Sequence, residues 1–415
     1  MTDVRQDWAE DYDIFDPDFV RDPYPVFDEL RQHQPMAHTE RWGGSWMPTR
    51  YADITAIAHD SEHFSSVEIT VAPIPFTYDE HGNRRRSIIA TDPPRHGPER
   101  RIFLPFFSPK AIERYEEHTR QLCHRLIDGF IADGRVDAAA AYSKQIPPRL
   151  IAAILGIDPE RADDFTEWVQ GVLELGLTDP ELREKYRALI NDFFRSQIED
   201  RKINPGDDLI SWLLRQEIDG APYPMHLIEA NVSLMLIAGI DTTWSSIGSA
   251  LWHLARHPED TARLVADPTL IPQAVEELLR AYSPVTMARI VTQEIEVEGR
   301  MLQPGDRVLL SFPAANRDPD VFDDPDRVVI DRQHNRHVAF GAGIHRCAGS
   351  NLARMEMNVA LAAWLERIPD FHLAGLPGEG EGEGDVADPV TWSGGQVRGP
   401  RHLPIAFNQT TSRSA

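Results

Sequence analysis

The stretch that decides the fold reads Phe340-Gly341-Ala342-Gly343-Ile344-His345-Arg346-Cys347-Ala348-Gly349. Glycines ahead of the cysteine permit a tight loop and a close approach of backbone to a flat ligand. Gly349 then opens a final helix that ends before Pro369. Cys347 thus sits at a helix N-terminus, where unpaired N–H groups and the helix dipole favour a thiolate. A cysteine that only filled space would not need this loop. That plainer reading suits Cys123, in an amphipathic helix.

A thiolate is a strong electron donor to iron, and as an axial haem ligand it favours O–O cleavage. N–H groups bonded to the sulfur would tune that donation. Three other stretches carry chemistry. Upstream, a helix is expected from about Met225 to His257, ended by Pro258, with the apolar run Leu234–Ile240 buried at its middle. Within it, Ala238-Gly239-Ile240-Asp241-Thr242-Thr243 places a glycine, an acid and two β-branched residues where none favours a helix. A threonine hydroxyl there can bond the carbonyl one turn back. Glu277-Leu278-Leu279-Arg280 puts a carboxylate and a guanidinium on one helix face. Asp92–Arg101 places His96 and Arg100 four residues apart near a helix start.

Taken together, these residues resemble the cytochrome P-450 family, and the resemblance runs from about Asp16 to Phe407. Phe340, Gly343, His345, Cys347 and Gly349 match its haem-binding motif, with His345 where many members have arginine. The resemblance implies a mainly α fold with small β-sheets, a single domain spanning 1–415, and haem b between the long central helix and the Cys-loop helix. Residues 1–15 and 408–415 are expected to be flexible ends. It implies Cys347 as the iron ligand, with Ala238, Gly239, Phe340 and Gly349 beside the haem. His96, Arg100, Arg289 and His345 would hold the haem carboxylates. Asp241 and Thr242 would deliver protons, and Glu277 and Arg280 would lock the core with Arg327. Leu234, Ile237, Ala238, Val285 and Met287 would line the substrate pocket, under a lid at Val71–Phe76.

The function implied is insertion of one atom of O2 into a mainly hydrophobic small molecule, with electrons from a separate ferredoxin and NAD(P)H-dependent reductase. A peroxide-driven peroxygenase and a non-catalytic haem-thiolate sensor are the alternatives; neither has need of the Asp241-Thr242 pair. Arg101, Arg336, His337 and Arg346 would offer a cationic face to an acidic ferredoxin.

Composition agrees with a globular chain. Of 415 residues, 41% are hydrophobic and 26% charged. A net charge of −24 argues against a general nucleic-acid binder and against adsorption to anionic lipid. Two cysteines cannot form a disulfide framework. No run approaches the ~20 apolar residues of a membrane span. A cytoplasmic monomer is expected. Ile295-Glu296-Val297, Glu298-Gly299 and Val308-Leu309-Leu310 suggest a small antiparallel meander. His253 and His257 read as structural, Arg84-Arg85-Arg86 as a solvated loop rather than a carboxylate contact, and the Gly/Glu run at 378–385 as a solvated insertion.

Overall fold

The helix Met225–Arg256 is the axis of the computed structural model, which describes residues 7–78, 82, 84–375 and 389–408. Its 32 residues span roughly 48 Å. It ends where His257 turns extended and Pro258 starts the next helix, within one residue of the sequence expectation. The two halves of this helix belong to different cores. Val232, Leu236 and Ile240 pack with Leu150, Phe165 and Phe194 of flanking helices. Ile247, Leu251 and Leu254 pack with Leu278, Leu361 and Trp364.

The middle of the helix departs from the expectation of all-round burial. Leu236 and Ile240 are buried, but Leu234 and Ile237 are only partly so and Ala238 is exposed. Their apolar side chains face an internal cavity. An apolar face on a central helix therefore marks either packed core or a cavity wall, and periodicity does not distinguish the two.

Helices Ile271–Ala281 and Ser350–Arg367 pack together on one side of the axis. Ala162–Leu173 and Pro180–Ile203 lie on the other. A five-stranded sheet flanks them in the order Met36–Thr39, Ser45–Pro48, Arg307–Ser311, Thr286–Val291, Phe64–Ser65. The expected meander is therefore corrected. Ile295–Val297 and Arg300–Leu302 form a hairpin of their own, turned by Glu298 and Gly299 at positive φ. Arg307–Ser311 pairs instead with Thr286–Val291, because all five of its residues are buried and need partners on both edges.

The expected flexible N-terminus is ordered from Asp7 onward. Tyr12 is 1% exposed and bonds Ser45 Oγ at 2.6 Å. Residues 1–6, 376–388 (with the Gly/Glu run) and 409–415 lie outside the described residues. No helix among the described residues is long and apolar enough to cross a membrane.

Candidate active site

The cysteine loop is closed by the Cys347 N–H, which donates to the Phe340 carbonyl at 2.8 Å. Gly343 has φ of 67°, and a Cβ there would fall 2.2 Å from the Ala58 carbonyl oxygen. The loop thus reaches helix Tyr51–His59 only because residue 343 lacks a side chain. Gly349 caps Ser350–Arg367, and its N–H bonds the Cys347 sulfur.

Cys347 opens onto a cavity of about 460 Å³, yet lies deep in the protein. Burial pushes its thiol pKa up; the Gly349 N–H, Arg100, Arg346 and Arg354 oppose this without overcoming it. Burial thus works against the pull that the helix terminus exerts on the sulfur. A metal ion at the sulfur would deprotonate it outright.

The central helix forms the opposite wall. Leu234, Ile237, Ala238, Gly239, Thr242 and Thr243 all line the cavity. Thr242 Oγ1 donates to the Ala238 carbonyl at 2.8 Å. A Cβ on Gly239 would come 2.5 Å from Ile151 Cδ1, so close helix packing accounts for this glycine. Val285 and Met287 also line the cavity, as do Ile74, Pro75 and Phe76 of the expected lid, whereas Val71 and Ala72 are buried.

Asp241 is buried and does not line the cavity. Arg401 Nη2 donates to its Oδ1 at 2.6 Å, while Oδ2 has no partner among the described residues. Burial raises the Asp241 pKa to about 6, against the pull of Arg401 and with added repulsion from Glu174. Arg401 also binds Glu174, reaches Ser245 Oγ at 3.0 Å and stacks 4.0 Å above the Trp244 ring. Nothing in the sequence pointed to Arg401, which lies in strand Pro400–His402, far along the chain.

His96, Arg100, Arg289 and His345 converge at the cysteine-loop end. The imidazoles of His96 and His345 lie 4.4 Å apart, and Nε2 of each is buried without a partner among the described residues. Arg289 is 5% exposed on strand Thr286–Val291, its pKa lowered by burial to about 10. Burial, then the neighbouring cations Arg289, His96 and Arg100, lower the His345 pKa to about 3. Arg100 donates to the Arg346 carbonyl. Such a set of donors without an acid in it suits the two carboxylates of a porphyrin.

Behind the loop, Glu277 and Arg280 are fully buried and joined by two bonds of 2.8 Å. Arg280 also donates to the carbonyls of Asn316, Pro325 and Arg327. Glu277 accepts from the Val329 N–H, Asn335 Nδ2 and, at 3.0 Å, Arg332 Nε. The expected third member, Arg327, is corrected to Arg332: the Arg327 side chain is exposed, and only its carbonyl joins the network. The segment has no periodicity by which spacing could have chosen between two arginines five residues apart.

A family profile described as Cytochrome P450 matches residues 163–372. Pentalenic acid synthase of Streptomyces avermitilis is 32% identical over 385 residues, covering 89% of this chain and 94% of that protein.

The chain belongs to the cytochrome P450 family.

Mycinamicin IV hydroxylase/epoxidase of Micromonospora griseorubida is 30% identical, covering 92% of this chain and 94% of that one. Among solved structures, cytochrome P450 CYP109Q5 from Chondromyces apiculatus has a TM-score of 0.85 at 32% identity, covering 96% of this chain and 98% of that one. The protein therefore has the mainly α, single-domain P450 fold and is a haem monooxygenase with haem b as cofactor. The residues of this P450 fit haem b: a sulfur open to the cavity, and orphaned buried nitrogens on His96 and His345 in reach of cations.

The remaining expectations divide. His253 is structural, bonding Tyr282 Oη at 2.8 Å and Asp260 at 3.0 Å. Cys123 is fully buried, with its thiol pushed up to about 12 by burial. Arg84, Arg85 and Arg86 are not a solvated loop; they line the cavity. His337 is no part of an exposed cationic face, because its ring is 4% exposed and held 3.0 Å from Glu276. Arg101, Arg336 and Arg346 are exposed. Arg183 and Arg187 on the cavity wall were missed, since arginines one turn apart on an amphipathic helix ordinarily read as solvated.

Proposed function

We propose that this P450 inserts one atom of O2 into a mainly hydrophobic small organic molecule, using electrons from a separate ferredoxin and its NAD(P)H-dependent reductase. The observation that carries the reading is the facing of Cys347 and Thr242 across one cavity with a mostly apolar wall. Haem b, when bound, supplies reductive activation of dioxygen and oxygen-atom transfer.

The chain's own residues do the rest. Cys347 ligates the iron, with the Gly349 N–H bonded to its sulfur. His96, Arg100, Arg289 and His345 hold the carboxylates of the cofactor, while Ala238, Gly239, Phe340 and Gly349 flank it. Thr242 Oγ1, bonded to the Ala238 carbonyl, presents its lone pairs to the cavity side of the helix and positions a proton donor there. Asp241, with a pKa of about 6, is matched to passing a proton near neutral pH. Leu234, Ile237, Val285 and Met287 exclude water around the substrate. The Glu277–Arg280–Arg332 network fixes the irregular segment before the cysteine loop. Arg101, Arg336 and Arg346 face an acidic ferredoxin. The Asp241–Thr242 pair favours this reading over a peroxygenase.

Turnover in ¹⁸O₂ with a surrogate ferredoxin and reductase tests it. Product carrying one ¹⁸O, dependent on both partners, supports the reading. Product formed only from added hydrogen peroxide, and unlabelled, contradicts it.

A further inference from the structure

Arg183 and Arg187 lie one turn apart on helix Pro180–Ile203, and Ile190 and Asn191 follow on the same face. All four line the cavity that opens onto Cys347. Arg183 is 8% exposed, and its Nε is buried without a partner among the described residues. Arg187 Nη2 donates to Thr77 Oγ1 at 3.2 Å. Neither guanidinium forms an ion pair with a described residue. Burial and mutual repulsion lower the pKa of Arg183 to about 10, so it stays a cation at neutral pH. The pKa of Arg187 is lowered by burial first; the exposed Glu184 pulls both guanidinium pKa values up in part, and Arg85 adds repulsion at Arg187.

The other charges on this wall are accounted for. Arg86 binds Glu99 at 2.7 Å, Arg85 lies 3.5 Å from Glu229, and Arg84 donates to the Val67 carbonyl while stacking 3.6 Å over Phe76. Of the cavity's carboxyl groups, Glu68 is tied to Arg307 at 2.5 Å. Glu356 is fully buried with neither oxygen bonded among the described residues, and burial pushes its pKa well up. Glu184, the nearest acid in sequence, is exposed.

Two adjacent cations with no ion-pair partner among the described residues, and only the exposed Glu184 nearby, are thus kept inside a protein of net charge −24. Burying like charges together is costly unless something of opposite sign joins them. A guanidinium pair presents parallel N–H donors that match a carboxylate. Ile88, Val172, Leu173 and Ile237 add apolar surface to the same cavity.

We propose that the substrate carries a carboxylate at the end remote from the oxidised carbon, bound by Arg183 and Arg187. This rests on the monooxygenase reading above. The two arginines act as an anchor that sets which carbon reaches the oxidising end, and they take no part in the oxidation.

The probes are straight-chain carboxylic acids of about eight to sixteen carbons, lengths suited to a pocket of this class, and their methyl esters. Each is titrated into the haem-loaded enzyme while the Soret shift is followed. The best acid should bind at least about tenfold more tightly than its ester. Arg183→Gln and Arg187→Gln should each erase that preference and leave ester affinity unchanged. Arg183→Gln should also raise the substrate-free thermal midpoint, since it removes an uncompensated buried charge; a merely structural arginine would lower it. The proposal is overturned if no acid outbinds its ester, if the preference survives both substitutions, or if an alkyl sulfate or phosphate outbinds every carboxylate. A native enzyme with the thiolate-type carbon-monoxide spectrum but no acid preference sinks the anchor and leaves the monooxygenase reading standing. Absence of that spectrum sinks the reading itself, and the anchor with it.

Discussion

Arg401 Nη2 lies 2.6 Å from Asp241 Oδ1, tying strand Pro400–His402 to the middle of the central helix. The pair gives a buried acid a counter-charge without satisfying its second oxygen.

The pH dependence of stability follows from this acid. Its pKa is about 6 in the folded chain, against 3.8 for an ordinary aspartate. A raised carboxyl pKa contributes stability that is fully present below 3.8 and lost as pH rises through about 6. Asparagine at 241 has no such proton to lose. The stability of the native protein relative to Asp241→Asn should therefore fall on going from below to above that window. Denaturant midpoints of both proteins at the two ends check this, and a constant difference would contradict it.

Removing Arg401 should slow turnover. In Arg401→Gln the Asp241 carboxyl loses the charge that lowers its pKa, so the acid stays protonated to higher pH. Any activity limb set by Asp241 should shift alkaline, which a pH–rate profile reads. Asp241→Asn should abolish that limb and slow turnover at all pH values.

Thr242→Ala should uncouple rather than inactivate. Electron delivery does not use the hydroxyl, so NAD(P)H is still consumed through the partners. Without the hydroxyl to position a proton donor, more electrons should leave as hydrogen peroxide and fewer as product. Cofactor consumed, peroxide released and product formed are measured in one assay; native-like coupling would count against the role.

The network behind the cysteine loop discriminates between two arginines. Arg332→Ala removes a charged hydrogen bond to a buried carboxylate and should cost about 1.5–3 kcal/mol. Arg327→Ala touches an exposed side chain and should cost within about 0.5 kcal/mol. Arg280→Ala leaves Glu277 buried and short of its main partner, at about 3–5 kcal/mol. Unfolding midpoints should follow that order.

What the sequence disclosed and what it hid have physical causes. The cysteine loop was legible because Gly343, Cys347 and Gly349 meet local backbone demands at fixed spacing. The central helix was legible because a long periodic segment ended by Pro258 has one reading. Arg401, Arg332 and the pair Arg183 and Arg187 were not, because their roles depend on what the tertiary fold brings against them. The sign of the burial effect on Cys347 was also hidden: a helix terminus is a local feature, whereas desolvation belongs to the whole enclosure.

The most direct test of the account is the absorption spectrum of the reduced carbon-monoxide complex of native protein, Cys347→Ser and Cys123→Ser. The native protein and Cys123→Ser should show the strongly red-shifted Soret band of thiolate ligation, and Cys347→Ser should lose it while remaining folded. Retention of the band in Cys347→Ser, with its loss in Cys123→Ser, would contradict the account.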